Sequence, residues 1–181
     1  MGSPKALIPV GQTTLGLHLC QLLKETLGCD PFLLGDGPMG DSTLQRIPDR
    51  EPGAGPLSAL LGWFDCFPHK DVLLLACDMI SMNGPALKWL VGQHRCLQAA
   101  ALLPRFPDRP FGEPTAAIYT SAARPLLEAC WLEGRRGLHR SVPEDRRSQP
   151  IIPEMHRVAF KGVNKPQELE AARTGPGQLS E

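Results

Sequence analysis

Three aspartates follow short apolar segments of this chain, and their placement is the feature of the sequence that most suggests chemistry. They are Asp36, Asp49 and Asp78. In an open α/β sheet, the carboxyl ends of parallel strands share one edge where ligands bind, so we expect these carboxylates to converge on one crevice. A carboxylate at that edge can hold a hard cation such as Mg²⁺ against the phosphates of a nucleotide. Alternatively, Asp78 could simply cap the helix that follows it.

Two further features could bind an anion near the same edge. Gly55 and Pro56 open a predicted helix. The N–H groups and macrodipole of a helix N-terminus attract negative charge, and a glycine lets the backbone approach a ligand closely. Lys5 is a flexible cation that suits a triphosphate. Both features also have an ordinary interpretation. Gly55-Pro56 could simply form a turn, and Lys5 could simply be a surface lysine. The cysteines and histidines show no metal-ligand spacing, which disfavours a zinc site.

Alternating elements must position these residues. The strand that leads to Asp78 spans residues 71–76, and its apolar run is typical of a strand buried on both faces. The other predicted strands span 31–34, 44–48, 97–103, 115–119 and 156–160, and the predicted helices span 14–27, 56–66, 87–94, 122–132 and 166–172. Residues 138–147 are polar and receive no assignment. The alternation predicts an α/β fold with a mostly parallel sheet covered on both faces.

Length and composition narrow the class of protein. The 181 residues suffice for one α/β domain, which we place at residues 1–173, with a flexible tail at 174–181. The formal net charge is zero, which argues against a dedicated nucleic-acid binder. No apolar run reaches the roughly 18 residues of a membrane span, and the N-terminal residues lack the apolar run of a signal peptide. Cysteines in apolar segments fit a reducing compartment, so we expect a cytoplasmic protein without membrane or nucleic-acid partners.

Five short motifs occur together in the order and spacing of a known family. They are 1–7 (Met-Gly-Ser-Pro-Lys-Ala-Leu), Asp49 with 55–57 (Gly-Pro-Leu), 75–79 (Leu-Ala-Cys-Asp-Met), 113–115 (Glu-Pro-Thr) and 163–169 (Val-Asn-Lys-Pro-Gln-Glu-Leu). Over nearly its whole length the chain resembles the molybdenum cofactor guanylyltransferases, which are MobA-like nucleotidyltransferases. The resemblance implies a Rossmann-like, three-layer nucleotidyltransferase fold. It also implies Mg²⁺-dependent transfer of GMP from GTP to molybdopterin, with release of pyrophosphate.

The same resemblance implies roles for single residues. The nucleotide-binding positions would be Lys5, Gly35, Asp49, Gly55 and Asp78. Lys5 and Asp78 would act in catalysis, with Asp78 as the Mg²⁺ ligand. Gly35 stands where asparagine is frequent in the family, so only its backbone could serve. Asn164 would lie on the pterin side. The implied partners are GTP, molybdopterin and, further, a molybdoenzyme or a cofactor-delivery protein.

The sequence departs from the family pattern at its beginning. Family members usually open with a strand that leads into Leu-Ala-Gly-Gly-x-Ser-x-Arg-Met-Gly, whereas this sequence opens at the final Met-Gly. That loop supplies N–H groups to the triphosphate, and loss of the strand leaves its neighbours with unpaired backbone groups. A start codon placed too late, a fragment, or a non-catalytic binding relative would each explain the difference. A relative that uses CTP or another acceptor is a further alternative. Gly162 also replaces a frequent asparagine.

Overall fold

The computed structural model describes residues 5–10, 12–37, 43–94 and 98–162. The strands are β1 (Pro9–Val10), β2 (Thr13–Thr14), β3 (Leu33–Leu34), β4 (Arg46–Ile47), β5 (Val72–Leu75), β6 (Ala101–Leu102), β7 (Ala116–Tyr119) and β8 (Arg147–Ser148). The α-helices are α1 (Leu15–Leu27), α2 (Pro56–Cys66), α3 (Gly84–His94) and α4 (Arg124–Leu132). Turns of 3₁₀ helix lie at Lys5–Leu7, Ser121–Ala123, Leu138–Arg140, Glu144–Arg146 and Glu154–His156. No helix in these ranges is long and apolar enough to cross a membrane.

The strands of the described residues form three separate ladders. β1 and β2 make an antiparallel pair, and β3 and β4 make a parallel pair. The third ladder has four strands in the order β5-β7-β6-β8. In it β7 runs antiparallel to β5 and β6, whereas β6 and β8 are parallel. The expected α/β organisation is confirmed, and its sheets are partly parallel because β7 runs against both of its neighbours.

Two hydrophobic cores lie on opposite faces of the four-stranded sheet. Alternate residues of a strand point to opposite faces, and β7 shows this with Ile118 in one core and Tyr119 in the other. Helices α1 and α3 pack in the Ile118 core, and helices α2 and α4 pack in the Tyr119 core. The molecule is therefore built as helix, sheet and helix layers, as expected for a three-layer fold.

Helix α2 begins at Pro56 and ends at Cys66, as the sequence predicts. Proline is favoured in the first turn because its missing N–H would have no helical partner there. The helix packs very closely against the segment after β4. A Cβ atom built on Gly62 would lie less than 3.0 Å from the carbonyl oxygen of Pro48 and 3.5 Å from the backbone nitrogen of Arg50. This approach fixes α2 against the backbone on either side of Asp49.

The strands predicted over 31–34, 44–48, 71–76 and 115–119 are confirmed with shorter bounds. The strand predicted over 156–160 is wrong. Pro153 precedes a 3₁₀ turn at Glu154–His156, and further turn residues follow it. His156, Ala159 and Phe160 are buried at helix-like spacing, which a strand with period two cannot produce. The unassigned region 138–147 contains two 3₁₀ turns and opens β8. The helix predicted at 166–172 and the tail at 174–181 lie outside the described residues.

Candidate active site

A cavity of about 660 Å³ lies between β3 and β5. Helix α1 lines one side of the cavity through Leu19 and Leu23, and helix α2 contributes Ala59 and Trp63. Much of the wall is apolar. One group of polar and glycine residues also faces the cavity, and it consists of Gly35, Asp36, Asp49 and Gly55. The cavity thus offers a polar group for binding beside a large apolar surface.

Gly35 and Asp49 are in close contact at this polar group. Gly35 follows β3 with a φ of 87°, which favours glycine because other residues rarely adopt it. Its N–H donates to the carbonyl of Ile47 on β4, at 2.8 Å. A Cβ atom on Gly35 would lie 2.9 Å from Oδ1 of Asp49. A side chain at position 35 would therefore collide with Asp49.

The surroundings of Asp49 disfavour the charged form of its carboxyl group. Among the described residues, its Oδ1 atom is buried and accepts no hydrogen bond. Burial raises the pKa of Asp49, the nearby charge of Asp36 raises it further, and a backbone hydrogen bond from Gly53 opposes both effects. A buried acceptor without a donor costs about 1–3 kcal/mol. A ligand that brings an N–H or O–H group to Asp49 would recover part of that cost.

The first turn of α2 closes the polar group. Gly55 precedes the helix with a φ of 86°, and both Gly55 and Pro56 line the cavity. The positive end of the helix dipole therefore points toward the region that holds Asp36 and Asp49. Pro56 contributes no N–H group, so the attraction to an anion depends on the dipole and on the following amides.

Lys5 and Asp78 form an ion pair at the flank of the same cavity. Nζ of Lys5 lies 2.8 Å from Oδ2 of Asp78, and the two side chains are 33% and 21% exposed. Their chain neighbours Ala6 and Cys77 line the cavity. A Cβ atom on Gly162 would lie 3.4 Å from Oδ1 of Asp78. A side chain at position 162 would therefore touch the carboxylate.

The alternative that Asp78 caps a helix is wrong. Helix α3 begins only at Gly84, and the side-chain oxygen of Asn83 accepts a hydrogen bond from the N–H of Ala86 at 3.0 Å. Asn83 is therefore the capping residue. Asp78 lies instead in a turn directly after β5, where the N–H of Ala76 donates to the carbonyl of Thr115 at 2.7 Å. The predicted 113–115 motif thus holds the backbone that presents Asp78.

The three aspartates do not form one cluster. Asp36 and Asp49 face the cavity directly, whereas Asp78 stands at its flank and is paired with Lys5. Within the described ranges, no group of three or more His, Cys, Asp or Glu side chains could hold a metal ion. A cation at Asp78 would depend on oxygen atoms of the substrate and of water. Asn164 lies outside the described residues.

Sequence reasoning missed two properties of this site. It treated Lys5 and Asp78 as separate ligands, although 73 positions separate two residues that are in contact. It also assigned the apolar residues of β5 wholly to the core, whereas Leu73 and Leu75 line the cavity. Neither property leaves a local signal, because a buried strand and a cavity wall require the same apolar side chains.

Comparison with known proteins decides the family. Residues 1–149 match the MobA-like NTP transferase domain. This chain belongs to that family. It is therefore a nucleotidyltransferase by family, as the motifs indicated. Among curated proteins, it is 28% identical over 132 residues to the molybdenum cofactor biosynthesis bifunctional protein of Synechocystis sp. (strain ATCC 27184 / PCC 6803 / Kazusa). That match covers 70% of this chain and only 37% of the cyanobacterial protein.

Solved structures show the fold. Molybdopterin-guanine dinucleotide biosynthesis protein A from Archaeoglobus fulgidus superposes with a TM-score of 0.70 at 20% identity, covering 94% of this chain and 89% of its own. The 2-C-methyl-D-erythritol 4-phosphate cytidylyltransferase from Thermus thermophilus superposes with a TM-score of 0.66 at 14% identity, covering 93% and 92%. The expected nucleotidyltransferase fold is confirmed. At these identities the likeness concerns the fold and does not identify a substrate.

Proposed function

We propose that this MobA-like domain transfers GMP from GTP to molybdopterin that carries molybdenum, and releases pyrophosphate. The observation that carries the proposal is the arrangement around one cavity of Asp49, the first turn of α2 and the Lys5–Asp78 pair. The names of the cyanobacterial and archaeal relatives support molybdenum cofactor synthesis. A cytoplasmic location remains a prediction.

The polar group of the cavity is suited to a nucleotide. A nucleoside triphosphate carries N–H donors on its base and negative charge on its phosphates. Asp49 needs a donor for its buried Oδ1, and the N-terminus of α2 attracts negative charge. We propose that Asp49 accepts hydrogen bonds from the nucleotide and that Gly35 and Gly55 allow close approach through their backbones. Guanine presents more than one N–H group along the edge that a carboxylate could contact, which favours GTP.

Asp78 suits Mg²⁺ because this ion is often bound by one or two carboxylates together with substrate phosphates and water. When bound, the ion would neutralise charge on the phosphates that react. Lys5 already neutralises Asp78 at 2.8 Å. If a cation takes the place of the ammonium group, Lys5 becomes available to bind the leaving pyrophosphate. The pair would therefore pass from contact with each other to contact with the substrate.

The reaction needs positioning more than a protein nucleophile. A terminal phosphate oxygen of molybdopterin would form the new bond to the α-phosphorus of GTP, and the bond between that phosphorus and the bridging oxygen to the β-phosphate would break. Pyrophosphate leaves with both electrons of that bond. The attacking phosphate is already ionised at neutral pH, so no strong general base is required. Asn164 is proposed to contact the pterin.

The test is an assay of pyrophosphate release with GTP, Mg²⁺ and molybdopterin bearing molybdenum. Replacing Asp78 by asparagine should lower the rate by about 10²–10³-fold, the loss typical when one preorganised charge contact is removed. Asp145→Asn is the matched control, because Asp145 is an exposed aspartate outside the cavity lining and its loss should leave the rate unchanged. Full activity of Asp78→Asn would contradict the role given to this carboxylate.

The same assay addresses the alternatives. The fold is shared with a cytidylyltransferase, so a relative that uses CTP or another acceptor is the second candidate. A panel of GTP, CTP and ATP at equal concentration should show preference for GTP, and preference for CTP would replace our proposal with the second candidate. Calorimetry that detects GTP or pterin binding by a chain with no turnover would instead indicate a non-catalytic binding protein.

A further inference from the structure

We propose that Ser58 is a positioning residue, which holds the turn between β4 and α2 so that Asp49 stays in place at the cavity. Ser58 lies in the first turn of α2 and is fully buried. The positioning of Asp49 is a property of the geometry of this chain. Its importance for the reaction rests on the role in nucleotide binding proposed above for Asp49.

The first observation is that the hydroxyl group of Ser58 bonds outside its own helix. It donates a hydrogen bond to the carbonyl of Glu51 at 2.9 Å and accepts one from the N–H of Glu51 at 2.7 Å. A serine in a helix commonly bonds to a carbonyl one turn earlier in the same helix. Glu51 instead lies seven residues before Ser58 and ahead of α2. Since a hydroxyl both donates and accepts, Ser58 holds both backbone groups of one residue at once.

The second observation is that further bonds join the same turn to the helix. The N–H of Arg50 donates to the carbonyl of Ser58 at 3.2 Å, which fixes the chain directly after Asp49. The N–H of Ala54 donates to the carbonyl of Glu51, also at 3.2 Å. Glu51 is therefore the residue through which the turn is attached to α2.

The third observation is that this turn supplies a donor to Asp49. Gly53 lies within the turn, and its N–H donates a hydrogen bond to the carboxylate of Asp49. Burial and the charge of Asp36 raise the pKa of Asp49, and this hydrogen bond opposes them. Ser58 thus acts on Asp49 in two steps, first by fixing Glu51 and then by keeping the N–H of Gly53 within reach of the carboxylate.

The alternative is that Ser58 only stabilises the fold, as a buried hydroxyl group can do anywhere. Ser141 provides the comparison. It is also buried, its hydroxyl donates to the carbonyl of Leu138 at 2.8 Å, and it does not line the cavity. Loss of either hydroxyl should destabilise the protein, because a buried hydrogen bond is lost in both cases. Only a positioning role for Ser58 predicts an additional effect on the carboxyl group of Asp49.

The test is the titration of Asp49, followed by NMR through the resonance of its carboxyl carbon. Ser58→Ala removes the hydroxyl, and Ser58→Cys removes most of its hydrogen bonding while it keeps a side chain of similar volume. In both variants the pKa of Asp49 should rise, because Gly35 still packs against the carboxyl group while the N–H of Gly53 is no longer held to it. Ser141→Ala should titrate as the wild type does.

Calorimetry with GTP and Mg²⁺ tests the consequence for binding. Ser58→Ala should weaken GTP binding by about tenfold, the factor that corresponds to one hydrogen bond to a charged group. Asp49→Ala should weaken it at least as much, and Ser141→Ala should leave it unchanged. Weaker binding by Asp49→Ala together with wild-type binding by Ser58→Ala would overturn the positioning role. If Asp49→Ala and the wild type bind GTP equally, the proposed role of Asp49 is wrong, and the titration alone decides the role of Ser58.

Two results of the titration overturn the proposal. One is an unchanged pKa of Asp49 in both Ser58 variants, and the other is an equal rise in Ser141→Ala, which would indicate a general loosening of the fold. The wild-type protein provides a further measurement even if the variants do not fold. The amide proton of Gly53 should shift with the same midpoint as the carboxyl group of Asp49, because the two groups share a hydrogen bond. An amide of Gly53 that is insensitive to this titration also overturns the proposal.

Discussion

The packing of α2 against the segment after β4 can be tested with one methyl group. Gly62→Ala places a Cβ atom less than 3.0 Å from the carbonyl oxygen of Pro48 and 3.3 Å from its carbonyl carbon. Both atoms belong to backbone, which cannot rotate away as a side chain would. Favourable contacts lie at about 3.5–4.0 Å, so the helix must move away by roughly 1 Å.

The expected cost follows from two opposing contributions. Overpacking of a well-packed core typically costs about 1–3 kcal/mol. Replacement of glycine by alanine inside a helix stabilises the folded state by about 0.5–1 kcal/mol. We therefore expect Gly62→Ala to lower the free energy of unfolding by about 1–2 kcal/mol. Gly92→Ala is the matched control in α3, because nothing lies within 4 Å of the added Cβ atom. Gly92→Ala should therefore raise the free energy of unfolding by the helical contribution alone, about 0.5–1 kcal/mol.

The assay is urea denaturation of the two variants beside the wild type. The two substitutions should change the midpoint in opposite directions while the denaturant slope stays constant. Since α2 packs on both sides of Asp49, Gly62→Ala should also weaken nucleotide binding in calorimetry, and Gly92→Ala should not. A Gly62→Ala variant as stable as Gly92→Ala would refute the close approach of α2 to Pro48.

Two further predictions concern ionisable side chains. Asp49→Asn should raise the free energy of unfolding at pH 7, because burial and Asp36 raise the pKa of Asp49 and so penalise its charged form. The gain should shrink as the pH is lowered, since protonation of the wild-type carboxyl removes that penalty, and a gain independent of pH would contradict this cause. Tyr119 donates a hydrogen bond to Pro114 at 2.8 Å, and burial raises its pKa above the ordinary value. Stability should therefore fall as pH rises past about 10, the fall should be absent in Tyr119→Phe, and ultraviolet absorbance can follow the titration because the chain has a single tyrosine.

The elements that carry the site were predictable from local sequence. Helix α2 has Pro56 in its first turn and an apolar interior, so its bounds follow from the residues alone. The strand before Asp78 is a run of four apolar residues, and only its length was overestimated. In both cases the apolar pattern that forms the element is also the pattern that packs it against its neighbours. Where one pattern does both, the local sequence is sufficient to predict the element.

Other parts of the fold depend on distant partners. β8 consists of Arg147 and Ser148, which have no strand-like pattern and pair with β6 only through the fold. The apolar residues around His156 are buried at helix-like spacing, and His156 and Phe160 contact the ring of Trp89. The contact between Lys5 and Asp78 likewise joins residues that are distant in the sequence. Such pairings are properties of the tertiary structure, and one sequence does not specify them.

β3 and β5 each lie at the edge of a ladder in the described structure and line the same cavity, which has a consequence for how the protein behaves at high concentration. An unpaired edge normally invites another molecule to add its own strands, which leads to aggregation. Here β3 and β5 line a shared space together with α1 and α2. Because the two helices line this space, they shield the edges of β3 and β5 from pairing with strands of a second molecule, as helices commonly do at sheet edges.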